Sequence, residues 1–218
     1  MDNRNQSVSV LITVHDQAQE IREKLPTYLT QHYESDYEVI VIDEMSTDEG
    51  ADVLQQLRDE YPNLRTTFLP KSNRTTQRRK YALSIGVKAS GYEWIIISDL
   101  HNEMPSEDTL QHIIEAMDTD ADLTLGYFTK KGIKLHPFAY IDEAHYHILK
   151  AERKLECVYD RPHHSFIWGR YDFIIVKREQ TYNLLNLFQQ KLSFGSLIHA
   201  RLKIFFKNLF ASTITASL

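Results

Sequence analysis

The sequence predicts an α/β fold in which a mostly parallel central sheet is flanked by helices. Short apolar runs rich in Val and Ile alternate four times, within the first hundred residues, with longer stretches whose apolar residues have helical spacing. Parallel strands that are covered on both faces produce such continuous apolar runs, and strand–helix alternation produces parallel crossovers. The 218 residues are enough for one such domain with a full core.

The central strand is predicted at 38–42, where the β-branched run Val39 to Ile42 stops at two acids, Asp43 and Glu44. Ligands of open α/β sheets bind beyond the carboxyl ends of the strands. The following residues Ser46 to Asp48 supply N-cap chemistry for a helix. The pattern therefore predicts a ligand crevice with acids at its rim.

The other elements are placed by periodicity and by breakers such as Tyr61-Pro62-Asn63 and Gly91. The further predicted strands are 8–14, 64–69, 93–98, 121–128 and 173–176. The predicted helices are 19–31, 49–60, 75–90, 106–117 and 141–156. The inward residues of the first three helices are predicted to be Ile21, Leu25, Tyr28 and Leu29, then Val53, Leu54 and Leu57, then Tyr81, Ala82, Ile85 and Ala89. The fourth strand also ends at an acid, Asp99.

The net charge of −5 is unevenly distributed. Residues 1–120 have a net charge of −11 and residues 121–218 a net charge of +6. An acidic first half argues against nucleic acid binding there, because phosphate backbones need basic surface, whereas the basic second half suits a membrane or an anionic substrate.

The single cysteine, Cys157, excludes an internal disulfide and a cysteine zinc site, which suits a reducing, cytoplasmic compartment. The polar N-terminus lacks a signal-peptide pattern, and no apolar run reaches the roughly 20 residues of a membrane span.

Four segments, taken in order, carry a resemblance to a known family: VSVLITVHDQAQEIREKLPTYLTQHY, YEVIVIDEMSTDEG, RRKYALSIGVKASGYEWIIISDLHNEMP and RPHHSFIWGRYDFIIVKRE. Together they resemble family 2 glycosyltransferases of the GT-A (Rossmann-like) fold, over roughly residues 7–180. The resemblance implies transfer of a sugar, with inversion, from a UDP- or GDP-sugar to the hydroxyl of a glycan or lipid-linked acceptor. It implies a role in cell-surface polysaccharide or glycan synthesis.

The resemblance also implies site residues. Those implied for the nucleotide sugar are Thr13, Val14, His15, Asp16, Asp43, Arg78, Lys80 and Asp99. Asp99 and His101 are implied ligands of Mn²⁺ or Mg²⁺, which would bridge the diphosphate and neutralise charge on the leaving group. In this sequence His101 stands where the family has the second acid of its metal motif.

The second departure from the family concerns the carboxylate base. An inverting enzyme needs such a base, and the family places it in a late acid pair, but no Asp or Glu follows Glu179 here. Asp172 is the nearest late candidate. The alternatives are a shortened form of a longer protein, a degenerate domain that binds a nucleotide or a protein partner, and a nucleotidyltransferase. The last ranks lowest because Thr13 to Gln19 contains no glycine for a phosphate loop.

The domain organisation is predicted to be one domain over residues 1–218. Its nucleotide-sugar half is about 7–130, its acceptor half about 131–192, and its C-terminal helix and tail 193–218. The stretch 193–210 has one apolar face with basic residues mainly elsewhere, a pattern of helices that either lie on anionic membranes or pack on their own domain. Peripheral contact with the inner face of the membrane is therefore an expectation.

Overall fold

A computed structural model of the chain describes residues 6–69, 78–121, 123–129, 132–138, 156–160, 165–169 and 172–181. Their helices are α1 (Ala18–Leu29), α2 (Gly50–Glu60), α3 (Arg78–Ala89) and α4 (Thr109–Glu115). Their strands are β1 (Val8–Val14), β2 (Tyr37–Asp43), β3 (Leu64–Phe68), β4 (Trp94–Ser98), β5 (Leu123–Thr129), β6 (Gly132–Phe138), β7 (Glu156–Asp160), β8 (Ser165–Gly169) and β9 (Phe173–Lys177).

Seven of these strands form one mixed sheet in the order β3-β2-β1-β4-β9-β5-β6. The first four strands in that order pair in parallel, which confirms the predicted parallel core. On the other side of β4 the pairs β4–β9, β9–β5 and β5–β6 are antiparallel. The strands β7 and β8 form a separate antiparallel pair.

The helices cover both faces of the sheet and create two apolar layers. One layer contains side chains of α1, α2 and α4 packed on alternate residues of β1 and β2. The other contains Ala82, Leu83 and Val87 of α3 packed on the opposite face. Because β1, β2 and β4 are covered on both sides, their residues are nearly all buried, as their continuous apolar runs predict. The edge strand β3, LRTTF, is the exception, with only Leu64 buried.

Two details of the helix and strand predictions are wrong. Tyr81 was predicted to face inward on the third helix, but it is 57% exposed, and Leu83 and Val87 pack on the sheet beside Ala82. The reason is close approach at Gly86, where an added Cβ would lie 2.8 Å from the Ile42 Cδ1. The second error is that the pattern predicts no strand at β6, β7 or β8.

Several predicted segments lie partly or wholly outside the described residues. These are residues 70–77, most of the predicted helix 141–156, and the C-terminal stretch 193–218. The one described residue of the predicted helix 141–156, Glu156, begins β7 instead. No helix of the described part of the chain is long and apolar enough to cross a membrane.

Glu38 ties together three strands at the end of the sheet opposite the acids. Its Oε1 accepts hydrogen bonds from the Ser9 hydroxyl at 2.7 Å and the Gly91 N–H at 2.6 Å. Its Oε2 accepts one from Arg65 at 2.7 Å. Burial by itself raises the pKa of Glu38, but the Gly91, Arg65 and Ser9 hydrogen bonds outweigh it, so that the pKa lies below its ordinary value.

We expect Glu38→Gln to lower the free energy of unfolding at pH 7 by about 1–3 kcal/mol. The NH₂ group of the glutamine is a donor, and it would face a group that itself donates to the carboxylate in the wild type. A group whose pKa is lowered by folding stabilises above its unfolded pKa and loses that contribution as pH falls through the folded value. The difference between wild type and variant should therefore shrink below about pH 4.5. Denaturant unfolding at several pH values measures it. Glu49→Gln is the control and should change stability little, because the Glu49 side chain is 80% exposed and its ion pair with Arg22 spans 3.9 Å. Equal losses in both variants would contradict this role of Glu38.

Candidate functional site

The carboxyl ends of the parallel strands form the candidate site, and the strand order sets its centre. The chain runs outward from β1 to β2 and β3, and then returns to β4 on the other side of β1. The crevice of an open α/β sheet lies at such a switch point. Val14 of β1 pairs with Asp43, and Ile12 pairs with Ser98, the residue before Asp99. The two predicted acids therefore flank the end of the same strand.

Asp43 closes a tight turn at the end of β2. Its Oδ1 accepts hydrogen bonds from the Ser46 N–H at 2.8 Å and the Ser46 hydroxyl at 2.6 Å. The intervening Met45 has a φ of 68°, in the left-handed region that costs a non-glycine residue about 1–2 kcal/mol. Asp43 is 9% exposed, and within the described part of the chain no hydrogen bond reaches its Oδ2. A strained turn thus holds one carboxylate oxygen at the rim, as functional sites often do.

The loops after β1 and β2 brace each other. The Asp16 N–H donates to the Ser46 hydroxyl at 3.0 Å, and the Asp16 carboxylate accepts from the Thr47 N–H at 2.6 Å. That Thr47 hydrogen bond lowers the pKa of Asp16 below its ordinary value. Asp48 accepts from the Gly50 N–H at the start of α2 and from the Ala18 N–H at the start of α1. The N-cap residue of α2 is Glu49, however, so the prediction that Asp48 is the N-cap is off by one residue. The rim beside Asp43 is therefore a preorganised pair of loops.

The remaining predicted residues of the β1 end have different surroundings. Thr13 is buried and pairs with Ile42 in the sheet. The Val14 side chain lies in the core, so this residue has only its main chain to offer a ligand. The His15 ring is exposed at the rim, with its Nε2 3.6 Å from the Asp16 carboxylate.

Asp99 begins a second turn directly after β4. Its Oδ1 accepts a hydrogen bond from the His101 N–H at 3.0 Å, so the carboxylate braces its own loop. The His101 side chain is exposed. Both predicted metal ligands are thus on one turn at the switch point. Among the described residues, no three His, Cys, Asp or Glu side chains are grouped to hold a metal ion.

Asp172 lies beside this turn, because β9 runs antiparallel to β4 and begins where β4 ends. Its Oδ1 accepts from the Asn102 side-chain amide at 2.8 Å, and its Oδ2 accepts from the Phe128 N–H at 2.7 Å. The carboxylate therefore joins the Asp99 turn to β5.

The two predicted basic residues, Arg78 and Lys80, lie in the first turn of α3. A helix that crosses between parallel strands runs back along the sheet, so its first turn is at the carboxyl end of the strands. The backbone placement agrees with a site role. Their side chains lie outside the described residues.

Sequence reasoning missed the residues that hold the two turns. The sequence pattern predicts Ser46 and Thr47 only as capping residues and Tyr28 only as a core residue, and it does not mark Asn102. Its signal was its position three residues after Asp99 in a loop rich in polar groups, but its partner Asp172 is 70 residues away in the chain.

Comparison with known proteins gives a family. Residues 9–188 match the model of "Glycosyl transferase family 2". No curated protein matches the chain significantly.

Solved structures that resemble the chain include a mannosyltransferase, a protein in complex with UDP and a synthase. The mannosyltransferase PcManGT from Pyrobaculum calidifontis, in complex with GDP-Man and Mn²⁺, has 26% identity and a TM-score of 0.47, over 55% of this chain and 34% of its own. S. aureus TarS 1-349 in complex with UDP has 20% identity and a TM-score of 0.45, over 54% of this chain and 34% of its own. The chain thus spans about a third of each. The 4-diphosphocytidyl-2C-methyl-D-erythritol synthase from Anaerococcus prevotii has 13% identity and a TM-score of 0.51 over 93% of this chain and 83% of its own, which is a likeness in fold alone.

Proposed function

The chain belongs to glycosyl transferase family 2, and on that premise we propose that it transfers a sugar from a UDP- or GDP-sugar to an acceptor hydroxyl with inversion. The proposed acceptor is a glycan or a lipid-linked sugar of cell-surface polysaccharide synthesis.

The observation that carries the proposal is the placement of Asp43 and Asp99 on either side of the end of β1. Two strand spacings, roughly 10 Å, separate their backbones. Each carboxylate accepts a hydrogen bond within its own turn, so the two are separate contact points for an elongated ligand with two recognisable ends. A nucleoside diphosphate is such a ligand. Its base or ribose would donate hydrogen bonds to Asp43, and its diphosphate would lie at the Asp99 turn.

The residues of the Asp99 turn fit a divalent ion. Asp99 supplies a carboxylate oxygen, which Mg²⁺ and Mn²⁺ prefer, and His101 supplies an imidazole, which favours Mn²⁺ of the two. Diphosphate oxygens and water would complete the coordination. When bound, such an ion neutralises charge on the departing nucleoside diphosphate.

Asp172 is the proposed base. It would accept the proton of the acceptor hydroxyl, whose oxygen forms a bond to the anomeric carbon while the bond from that carbon to the diphosphate oxygen breaks. The support for this role is that Asp172 is placed beside the Asp99 turn through its hydrogen bond with Asn102.

We expect Asp172→Asn to slow the release of nucleoside diphosphate from the donor by about 10²-fold or more, because an amide does not accept the proton. The affinity for the donor should change less than threefold. Asn102→Ala is the matched comparison, because it removes the partner of Asp172 and keeps the carboxylate. If Asn102→Ala is as slow as Asp172→Asn, Asp172 acts by holding the turn and the proposed base is wrong.

Calorimetric titration of the full chain with UDP and with GDP, each with and without Mn²⁺, tests the proposed function. Binding of one nucleotide that strengthens with Mn²⁺ is the expected result. Absence of binding by both would refute the proposed donors. A second candidate function, a domain that binds a nucleotide without turnover, is favoured by His101, which stands where the family has the second acid of its metal motif. Tight, metal-dependent binding without release of sugar from any donor would support it.

A further inference from the structure

We propose that α1 is the positioning element of the Asp99 turn, and that the Tyr28 hydroxyl is the group on α1 that fixes the turn. The proposal rests on the proposed function for the role of Asp99, and it assigns Tyr28 a positioning role without contact to substrate. A metal-binding carboxylate depends on the groups that orient it, and loss of such a group typically costs 10- to 100-fold in metal affinity.

The Tyr28 hydroxyl lies directly beneath the turn. Its Oη is 3.1 Å from the Asn102 carbonyl oxygen and 3.3 Å from that of Asp99, and the Ser98 hydroxyl lies 3.1 Å away. Tyr28 is 1% exposed, so no bulk water replaces it as a donor to these carbonyls. Burial raises the pKa of the Tyr28 hydroxyl, which therefore keeps its proton and donates.

Other polar groups of α1 continue the contact along the loop that follows β4. The Lys24 ammonium donates to the His101 carbonyl at 2.9 Å, and the Thr27 hydroxyl accepts from the Met104 N–H at 3.0 Å. The Gln31 side chain, just past the helix, donates to the Ser106 carbonyl at 2.8 Å and accepts from the Leu110 N–H at 2.8 Å. Residues 24, 27, 28 and 31 share one helix face. The loop from Asp99 to the start of α4 has no regular structure of its own, and this face pairs much of its backbone.

Core packing alone does not account for these contacts. The apolar residues of α1, Ile21, Leu25 and Leu29, bury its inner stripe and would do so beside any loop. The polar residues instead meet backbone groups at intervals from Asp99 to Leu110. The helix α1 begins at the braced loops beside Asp43, and it also fixes the Asp99 turn. The two ends of the proposed ligand site therefore share one rigid support.

Tyr28→Phe is the first test, because it removes one oxygen and leaves the ring in the core. Tyr37→Phe is the matched control: its hydroxyl donates to the Leu29 carbonyl at 2.6 Å and accepts from the Gln31 N–H at 3.1 Å, so it contacts the backbone at the same C-terminal end of α1. The measurement is the dissociation constant of Mn²⁺ in the presence of the nucleotide that binds. Tyr28→Phe should raise it about tenfold, with metal-free nucleotide affinity unchanged, and Tyr37→Phe should raise it less than twofold. Equal effects of the two variants, or none from Tyr28→Phe, would overturn the proposal.

Hydrogen exchange of the ligand-free chain is the second test, and it does not require the proposed function. Amides of residues 99–104 should exchange about tenfold faster in Tyr28→Phe than in Tyr37→Phe. If the wild type binds neither UDP nor GDP, the proposed donors fail while this result still decides the positioning role. If Tyr28→Phe does not fold, Thr27→Val replaces it as the test. This substitution leaves the net charge unchanged and removes the acceptor of the Met104 N–H, so it should raise exchange over the same residues. Unchanged exchange there would overturn the proposal.

Discussion

Asp43→Asn is expected to weaken binding of the donor nucleotide by about 10- to 100-fold, with or without Mn²⁺. The amide oxygen can take over the two hydrogen bonds from Ser46, so that the turn persists. The Oδ2 atom of Asp43 is replaced by an NH₂ group. This group is a hydrogen-bond donor and does not accept a hydrogen bond from the base or ribose. A hydrogen bond to a charged group contributes about 1.5–3 kcal/mol, and its loss leaves a buried donor unpaired. Calorimetric titration measures the change.

Two further variants separate recognition from general effects of charge and of the turn. Asp36→Asn makes the same charge change just before the opposite end of β2, at an exposed residue, and should leave affinity unchanged. Ser46→Ala removes a hydroxyl that donates to Asp43 and accepts from the Asp16 N–H, so it loosens the turn and keeps the carboxylate. It should weaken binding less than Asp43→Asn. An Asp43→Asn chain that binds as tightly as wild type would refute the assignment of Asp43 to the nucleoside.

Three of the four parallel strands, β1, β2 and β4, were predictable from sequence because they are covered on both faces. Burial on both sides requires an uninterrupted apolar run such as VLITV or VIVI, and such a run is visible without knowledge of its partners. The acids at the ends of β2 and β4 were predictable for the same reason, since they follow directly on those runs.

The antiparallel half was less predictable because its strands lack that signal. β6 has the sequence GIKLHPF, in which polar residues and a proline interrupt the apolar pattern, and only its pairing with β5 makes it a strand. Its neighbour β5 also depends on a distant contact: an added Cβ at Gly126 would lie 2.0 Å from the Phe173 ring. A glycine that accommodates a ring 47 residues away carries no local sign of that purpose.

The supports of the site were the least predictable part. Tyr28 has helical spacing with Ile21 and Leu25, and periodicity reports only that such a residue faces the core. Whether its hydroxyl meets Asn102 depends on how α1 lies against the loop after β4, 74 residues further along the chain. Periodicity therefore identified the acids of the site but not the groups that hold them.

Asp99→Asn is expected to abolish the dependence of nucleotide binding on Mn²⁺ and to slow transfer by about 10²-fold or more. The variant keeps an oxygen for the hydrogen bond from the His101 N–H, so the turn should persist. It loses the negative charge that a hard divalent ion prefers in its ligand. Stabilisation of a departing diphosphate by such an ion contributes several kcal/mol, and each 1.36 kcal/mol is about tenfold in rate. Affinity for the nucleotide in the absence of metal should stay within twofold of wild type, or rise, since a negative charge near the diphosphate is removed.

Asp118→Asn is the matched control for this change. The Asp118 Oδ1 accepts from the N–H two residues later, that of Asp120, at 3.0 Å, which is the arrangement of Asp99 and His101. Asp118 is exposed in the loop between α4 and β5, at the other end of the sheet. The two variants remove the same charge from two turns of the same kind. A difference in Mn²⁺ dependence between them therefore reports the position of Asp99 at the switch point. Persistence of full Mn²⁺ dependence in Asp99→Asn would remove Asp99 as a metal ligand. It would also leave the Tyr28 contact as a purely structural support of the loop, because a turn that holds no ligand has no metal geometry to preserve.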